Sequence, residues 1–178
     1  MGLIKLFIIG AIGYFLTGLY DVAILHNRLL IKKFLYVGFF ITALPYLFLF
    51  LERPSPHPVF LIWTIALLLL LFSSLLIYSV LVEISISSVK AGALYQSGTY
   101  GFSRHPGFLW FTVINLLVSL YFWNIQISLL CAGLILCNLA LITIEDLLFF
   151  PKMFPEYLEY KKKTPFLISL RCPSTRSS

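Results

Sequence analysis

Apolar residues run almost unbroken through this chain, and its few polar positions gather in clusters that cut it into separate lengths. The apolar runs predict helices at about Leu6 to Leu25, Phe34 to Leu51, Val59 to Val82, Phe108 to Trp123 and Ile125 to Ile144. Crossing the hydrocarbon core of a bilayer takes about 20 mostly apolar residues, so each run is a candidate span. The fourth is short and reaches full length only if it begins near Pro106. The pattern predicts an all-α integral membrane protein: five transmembrane helices in a single polytopic domain over residues 1–178. A cleaved signal peptide is the weaker reading of the first run. Only Lys5 precedes its apolar part, the run is long, and no A-x-A-like site follows.

Polar and small residues inside the runs refine this picture. Gly10, Gly13, Thr17 and Asp21 recur at helical spacing in the first span, a small-residue stripe suited to close helix packing that ends in a carboxylate. Pro45 should kink or loosen the second span. The connection ERPSPHPV, from Glu52 to Val59, reads as short and stiff, with His57 as a solvated loop residue. Asn124 alone separates the fourth and fifth runs, which predicts a tight helical hairpin. That hairpin brings Arg104 and His105, before the fourth run, to the same level as Glu145 and Asp146, after the fifth, with Glu83 arriving beside them. No repeat of 20 to 50 residues and no matched pair of interrupted helices is visible, which argues against a transporter.

Composition supports the membrane assignment and charge orients it. Of 178 residues, 60% are hydrophobic and 11% charged, unlike the balance of soluble domains. Five spans put Arg28, Lys32, Lys33, Lys90, Arg104, Lys152, Lys161, Lys162, Lys163, Arg171 and Arg176 on one face, leaving only Lys5 and Arg53, of 13 basic residues, on the other. Because basic loops stay in the cytoplasm, the N-terminus is expected outside and the C-terminus inside. The net charge of +6 then serves orientation and attraction to anionic lipid headgroups, not nucleic acid. Cys131, Cys137 and Cys172 read as packing or tail thiols on the reducing side, not a disulfide framework.

The chemistry-bearing residues gather at the inner face. Pro106 suits the first turn of a helix, which sets His105 near its N-cap beside unpaired N–H groups that favour an anion. Arg104 adds a planar cationic fork. The pair reads as an anion clamp or, equally simply, as basic residues that orient a span. Glu145 and Asp146 sit at the unfavourable end of a helix dipole, so either a cationic or polyhydroxyl ligand needs them or they pair with Arg104. Both readings stay open on the residues alone. Beyond them, FFPKMFPEYLEYKKKTPFL mixes aromatics with a basic cluster, as an interfacial helical segment folding back over the inner face would. No metal site is expected.

In order, GTYGFSRHPGF, an apolar hairpin, Glu145 with Asp146, and PEYLEYKKKTP resemble the isoprenylcysteine carboxyl methyltransferase family and its integral-membrane relatives, over residues 98–165. The resemblance implies an enzyme that takes S-adenosylmethionine from the cytosol and a lipophilic or lipid-anchored acceptor from the bilayer, such as an isoprenylcysteine carboxylate. It implies Arg104, His105 and Pro106 as the cofactor clamp, with Tyr100 shaping the pocket. Glu145, with Asp146, would hold ribose hydroxyls or an amino group, and Tyr157 and Tyr160 would close a lid. Arg104 and Glu145 would carry the catalytic role, mainly by positioning. Relatives usually have tyrosine and then glycine after RHP where this chain has Phe108 and Trp110, and an arginine is missing near Leu141 and Ile142. These departures fall on the acceptor side. Competing classes are an NADPH-dependent membrane sterol or steroid reductase, which would ask for more basic residues around Tyr100 to His105, and a non-catalytic membrane scaffold.

Overall fold

The structure is a computed structural model, and it describes residues 2–26, 28–83 and 94–168. Lys90, Cys172, Arg171 and Arg176 lie outside the described residues. Those residues are helical with no strand among them. Helix α1 covers Leu3–Leu25. A segmented passage follows as α2 (Leu29–Leu35), α3 (Val37–Ile41) and α4 (Leu44–Glu52). Helix α5 (Val59–Ile77) continues into a π-helical turn over Tyr78–Glu83. The short α6 (Thr99–Phe102) precedes α7 (Pro106–Phe122) and α8 (Ile125–Ile144). After a second π-helical turn, Glu145–Phe149, come α9 (Phe150–Met153) and α10 (Tyr157–Lys163).

Among the described residues, four stretches are long and apolar enough to cross a membrane: Leu3–Leu25, Lys33–Glu52, Val59–Glu83 and Ile125–Met153. The expected fifth, Pro106–Phe122, does begin at Pro106, yet has only 17 residues. Its length is cut at the far end, where Trp123 turns left-handed (φ 43°) and Asn124 caps α8 by accepting from the backbone N–H groups of Gln126 (3.0 Å) and Ile127 (3.3 Å). The hairpin is therefore as tight as the sequence implies. Its turn is tied to the α4–α5 connection, where Ser55 Oγ donates to the Tyr121 carbonyl (2.7 Å) and the His57 Nε2 lies 2.7 Å from the Leu120 carbonyl. His57 is thus half-buried and bonded to the bundle, not simply solvated, because helix-end carbonyls need partners.

Helix α8 is central, packed between α7 and α1, while α7 also packs on α5, and α1 on α3 and α4. In lipid the hydrophobic effect does not drive helices together, so close contact and buried polar pairs matter more. Gly10, Gly13 and Thr17 are buried as the stripe predicts. A Cβ on Gly13 would lie 2.7 Å from the Thr42 backbone N, and one on Gly38 would lie 3.0 Å from the Gly13 carbonyl oxygen. Backbones of α1 and α3 therefore touch. Pro45 sits in the first turn of α4 and cannot donate back to Ile41, so the passage loosens at Thr42 and Ala43. Shorter bonds bridge the break, Ala43 N to Phe40 O at 3.1 Å and Tyr46 N to Ala43 O at 3.2 Å. Farther in, the Tyr46 hydroxyl donates to Asn115 Oδ1 at 2.9 Å, joining α4 to α7 at a fully buried amide.

Close backbone contact sets the expected response to added bulk. Gly13→Ala and Gly38→Ala should each destabilise the detergent-solubilised protein by about 1–3 kcal/mol, the usual range for overpacking. Gly18→Ala, whose Cβ would meet only the mobile Leu141 Cδ1 at 3.3 Å, should cost less. Thermal unfolding of the three variants checks this order.

Candidate functional site

The site is built where the first π-helical turn ends and the second begins. Wider turns of this kind recur at functional positions because they re-aim side chains that an α-helix would space evenly. The first delivers Glu83, which is 1% exposed, into the protein. Its carboxylate accepts the Thr99 backbone N–H (3.1 Å) and, in a very short bond, the Thr99 hydroxyl. Gly98 takes φ 59° beside that carboxylate, and any Cβ there would collide with it. Glu83 therefore pins the start of the Gly98 to His105 segment.

From that anchor the chain places Arg104 and His105 against the second π-helical turn. Asp146, 3% exposed, accepts from an Arg104 terminal nitrogen in a very short bond, from the Tyr157 hydroxyl (2.6 Å) and from Lys161 Nζ (2.6 Å). One carboxylate thus binds the α6–α7 segment to α10. The residues after α10 close the same contact. Pro165 accepts from the Arg104 backbone N–H at 3.0 Å, and Phe166 accepts from Ser103 Oγ at 3.3 Å. The Tyr160 hydroxyl donates to the Tyr100 carbonyl at 2.6 Å. His105 caps α7 and lies between aromatic rings, with Phe150 stacked at 5.9 Å and Phe166 at 4.9 Å.

Two nitrogens are left over. Arg104 Nε and His105 Nε2 are buried without a hydrogen-bond partner, the latter 3.6 Å from Asp146 Oδ1 and so beyond bonding distance. A buried polar atom left unpaired costs about 1–3 kcal/mol and calls for an explanation. A second acidic group lies at the same end of the bundle. Asp21, at the end of the α1 stripe, pairs with Glu145, and burial together with Glu83, Tyr160 and Glu145 raises the Tyr100 pKa. Unpartnered nitrogens and a carboxyl pair therefore occur at one end of the bundle.

The structure brings all the residues singled out from the sequence, Tyr100, Arg104, His105, Pro106, Glu145, Asp146, Tyr157 and Tyr160, to this end. It divides their roles more sharply than the motif does. Asp146 pairs with Arg104, as one of the two open readings had it, and the Tyr157 and Tyr160 hydroxyls are spent on internal bonds. Glu145 turns the other way, toward Asp21. Sequence reasoning missed the roles of Lys161, Phe166 and Thr99 and the pairing of Asp21 with Glu145. Only Asp21 carried a signal, as the one charge within the first apolar run. On α7, Phe108 is buried, and Trp110 packs on Phe72 at 6.1 Å with its Nε1 buried and unpartnered. A shallow groove lined by Ser119, Leu120, Trp123, Asn124, Ile125 and Ser128 lies at the opposite end of α7.

No family model, curated protein or solved structure matches the chain.

His105 is held neutral by burial, which lowers its pKa to about 4 against the opposing pull of Asp146, with Arg104 and Lys161 adding to the lowering. An unfolded histidine binds its proton near pH 6.5. Between these values the unfolded chain holds a proton that the folded one does not, so stability falls as pH drops from about 6.5 to 4. The loss should total about 3 kcal/mol. His105→Gln should remove this component, and chemical denaturation across that pH window measures it. Equal slopes in parent and variant would contradict the assignment.

Proposed function

We propose that the protein is an S-adenosylmethionine-dependent methyltransferase of the membrane, acting at the cytoplasmic face on a lipophilic acceptor drawn from the bilayer, of the class to which an isoprenylcysteine carboxylate belongs. One observation carries the reading. Segments some forty residues apart in sequence, with no shared helix, converge where Asp146 pairs with Arg104, leaving buried unpartnered nitrogens on Arg104 and His105, while Glu145, next in the chain to Asp146, pairs with Asp21. That donor set fits the cofactor, which carries a carboxylate, an ammonium and a diol and so needs both signs of charge within a few ångströms.

When bound, S-adenosylmethionine would supply an activated methyl group on a sulfonium. The chain's own part is positioning. Asp146 fixes one edge of the Arg104 guanidinium and turns its Nε edge toward a ligand carboxylate, the two-pronged geometry arginine favours. His105, neutral, offers Nε2 as donor or acceptor. Glu145 and Asp21 hold an ammonium or ribose hydroxyls, and Phe150 excludes water. The acceptor side is lined from α7, where Phe108 and Trp110 face the apolar interior.

The same reading places five passages in the bilayer. Helix α7 runs antiparallel to α8, reaches the Ser55–His57 connection at one end and Arg104 at the other, and so crosses wherever α8 crosses. Its 17 residues rise only about 25 Å, a shortfall that local thinning accommodates. With basic residues inside, the N-terminus is external and the C-terminus cytoplasmic. In a background lacking Cys172, cysteines at Pro56 and Lys163 should label from opposite sides of sealed vesicles. Labelling of both from one side would overturn the topology.

Titration of purified protein with S-adenosylmethionine, S-adenosylhomocysteine and NADPH tests the ligand. The first two should bind and the third should not. Arg104→Ala and Glu145→Gln should weaken S-adenosylmethionine roughly 10- to 100-fold, the worth of a hydrogen bond to a charged group. Phe108→Tyr and Trp110→Gly should leave cofactor affinity within a few-fold and shift acceptor choice. Parent-like binding by both Arg104→Ala and Glu145→Gln, with folding intact by gel filtration, would overturn the reading.

A further inference from the structure

Access to the two unpaired nitrogens is closed by the chain itself. Arg104 is 9% exposed and His105 6%, so a ligand in bulk water reaches neither. The His105 ring lies between Phe150 and Phe166. Phe150 belongs to a helix and is fixed, its N–H donating to the Glu145 carbonyl and its carbonyl accepting from Phe154 at 2.9 Å. Phe166 follows the last turn of α10 and is not helical. Its ring also covers the guanidinium, 5.4 Å from Arg104 Cζ. Its own backbone tether is the 3.3 Å bond from Ser103 Oγ, long for a hydroxyl donor. One residue earlier the Pro165 carbonyl accepts from the Arg104 N–H at 3.0 Å, a bond that lifting the strap must also break. Of the two covers, only Phe166 is placed to leave.

We propose that Phe166 is an intramolecular plug: its ring occupies the face of Arg104 and His105 that a ligand needs, so ligand entry requires the strap at Pro165 and Phe166 to lift. The cation–π contact with Arg104 keeps the site shut and dry when empty. A ligand must displace that ring, so its apparent affinity is reduced by the fraction of molecules that are plugged. The identity of the ligand rests on the methyltransferase reading; the plug does not.

Chemical accessibility separates the two claims. Diethyl pyrocarbonate modifies neutral imidazole nitrogens, and peptide mapping by mass spectrometry reads each histidine separately, with exposed His26 as the internal reference. In the parent, His105 should be protected relative to His26. In Phe166→Ala, His105 should react about tenfold faster, and S-adenosylhomocysteine should bind about tenfold tighter and restore protection. Phe166→Leu, which keeps an apolar cover but loses the cation–π contact, should fall between the parent and Phe166→Ala and guards against a general loss of folding. A His105 rate unchanged in Phe166→Ala would overturn the plug. Weaker S-adenosylhomocysteine binding in a folded Phe166→Ala would also overturn it, since the ring would then be a wall of the pocket. A reactive His105 with no binding or protection by S-adenosylhomocysteine in any of the proteins would uphold the plug and overturn the methyltransferase reading.

Discussion

The carboxylate of Asp146 holds this end of the molecule together. It is nearly inaccessible to solvent and accepts from Arg104, Tyr157 and Lys161, so the segment before α7 and helix α10 meet on one side chain. A buried charge is costly unless paired and hydrogen-bonded, and three donors meet that condition. The consequence is directional. With one terminal nitrogen of the guanidinium committed to Asp146, Arg104 Nε is left buried without a partner. What looks in the sequence like a surplus of charge at a helix end is a device for aiming one arginine.

That device works only because the bundle delivers its parts to one level. Asn124 turns α7 back along α8, and α1 packs on α8 with Gly10 against Leu134 and Gly18 against Leu141, which lets Asp21 meet Glu145. Glu83, capturing both donors of Thr99, fixes where the motif segment begins. Packing of small residues in the apolar region thus becomes, at the polar end, a choice of which carboxylates are neighbours. Exposed apolar side chains along α1, α5 and α7 are what a surface facing lipid tails requires.

Much of this could be read from the chain because the signals were local. The hairpin at Asn124 follows from a single polar residue between two apolar runs, and the α1 stripe from helical spacing of glycines. Loosening near Pro45 follows from its missing N–H, although the break falls at Thr42 and Ala43, where the orphaned carbonyl is relieved. The membrane-length fourth helix did not emerge at full length, since Trp123 leaves the helix one residue before Asn124 to close the turn. Other features depend on tertiary contact and leave no local trace. Nothing in the order Glu145, Asp146 says that a π-helical turn sends one to Asp21 and the other to Arg104. Lys161 looks like its neighbours Lys162 and Lys163, yet it alone reaches inward to Asp146. Phe166 is one aromatic among many until the fold lays it over Arg104. His57, in a proline-rich loop, gave no sign of its bond to Leu120.

A double-mutant cycle on Arg104 and Asp146 tests the central claim most directly. Unfolding free energies would be measured in one detergent for the parent, Arg104→Met, Asp146→Leu and the pair together. The account predicts that Asp146→Leu is the more damaging single change, because it strands a buried guanidinium, at a cost of about 3–5 kcal/mol. The double variant should recover part of that loss, with a coupling of about 0.5–3 kcal/mol. Strictly additive effects would contradict it, and Asp146 would then not be the group on which Arg104 depends.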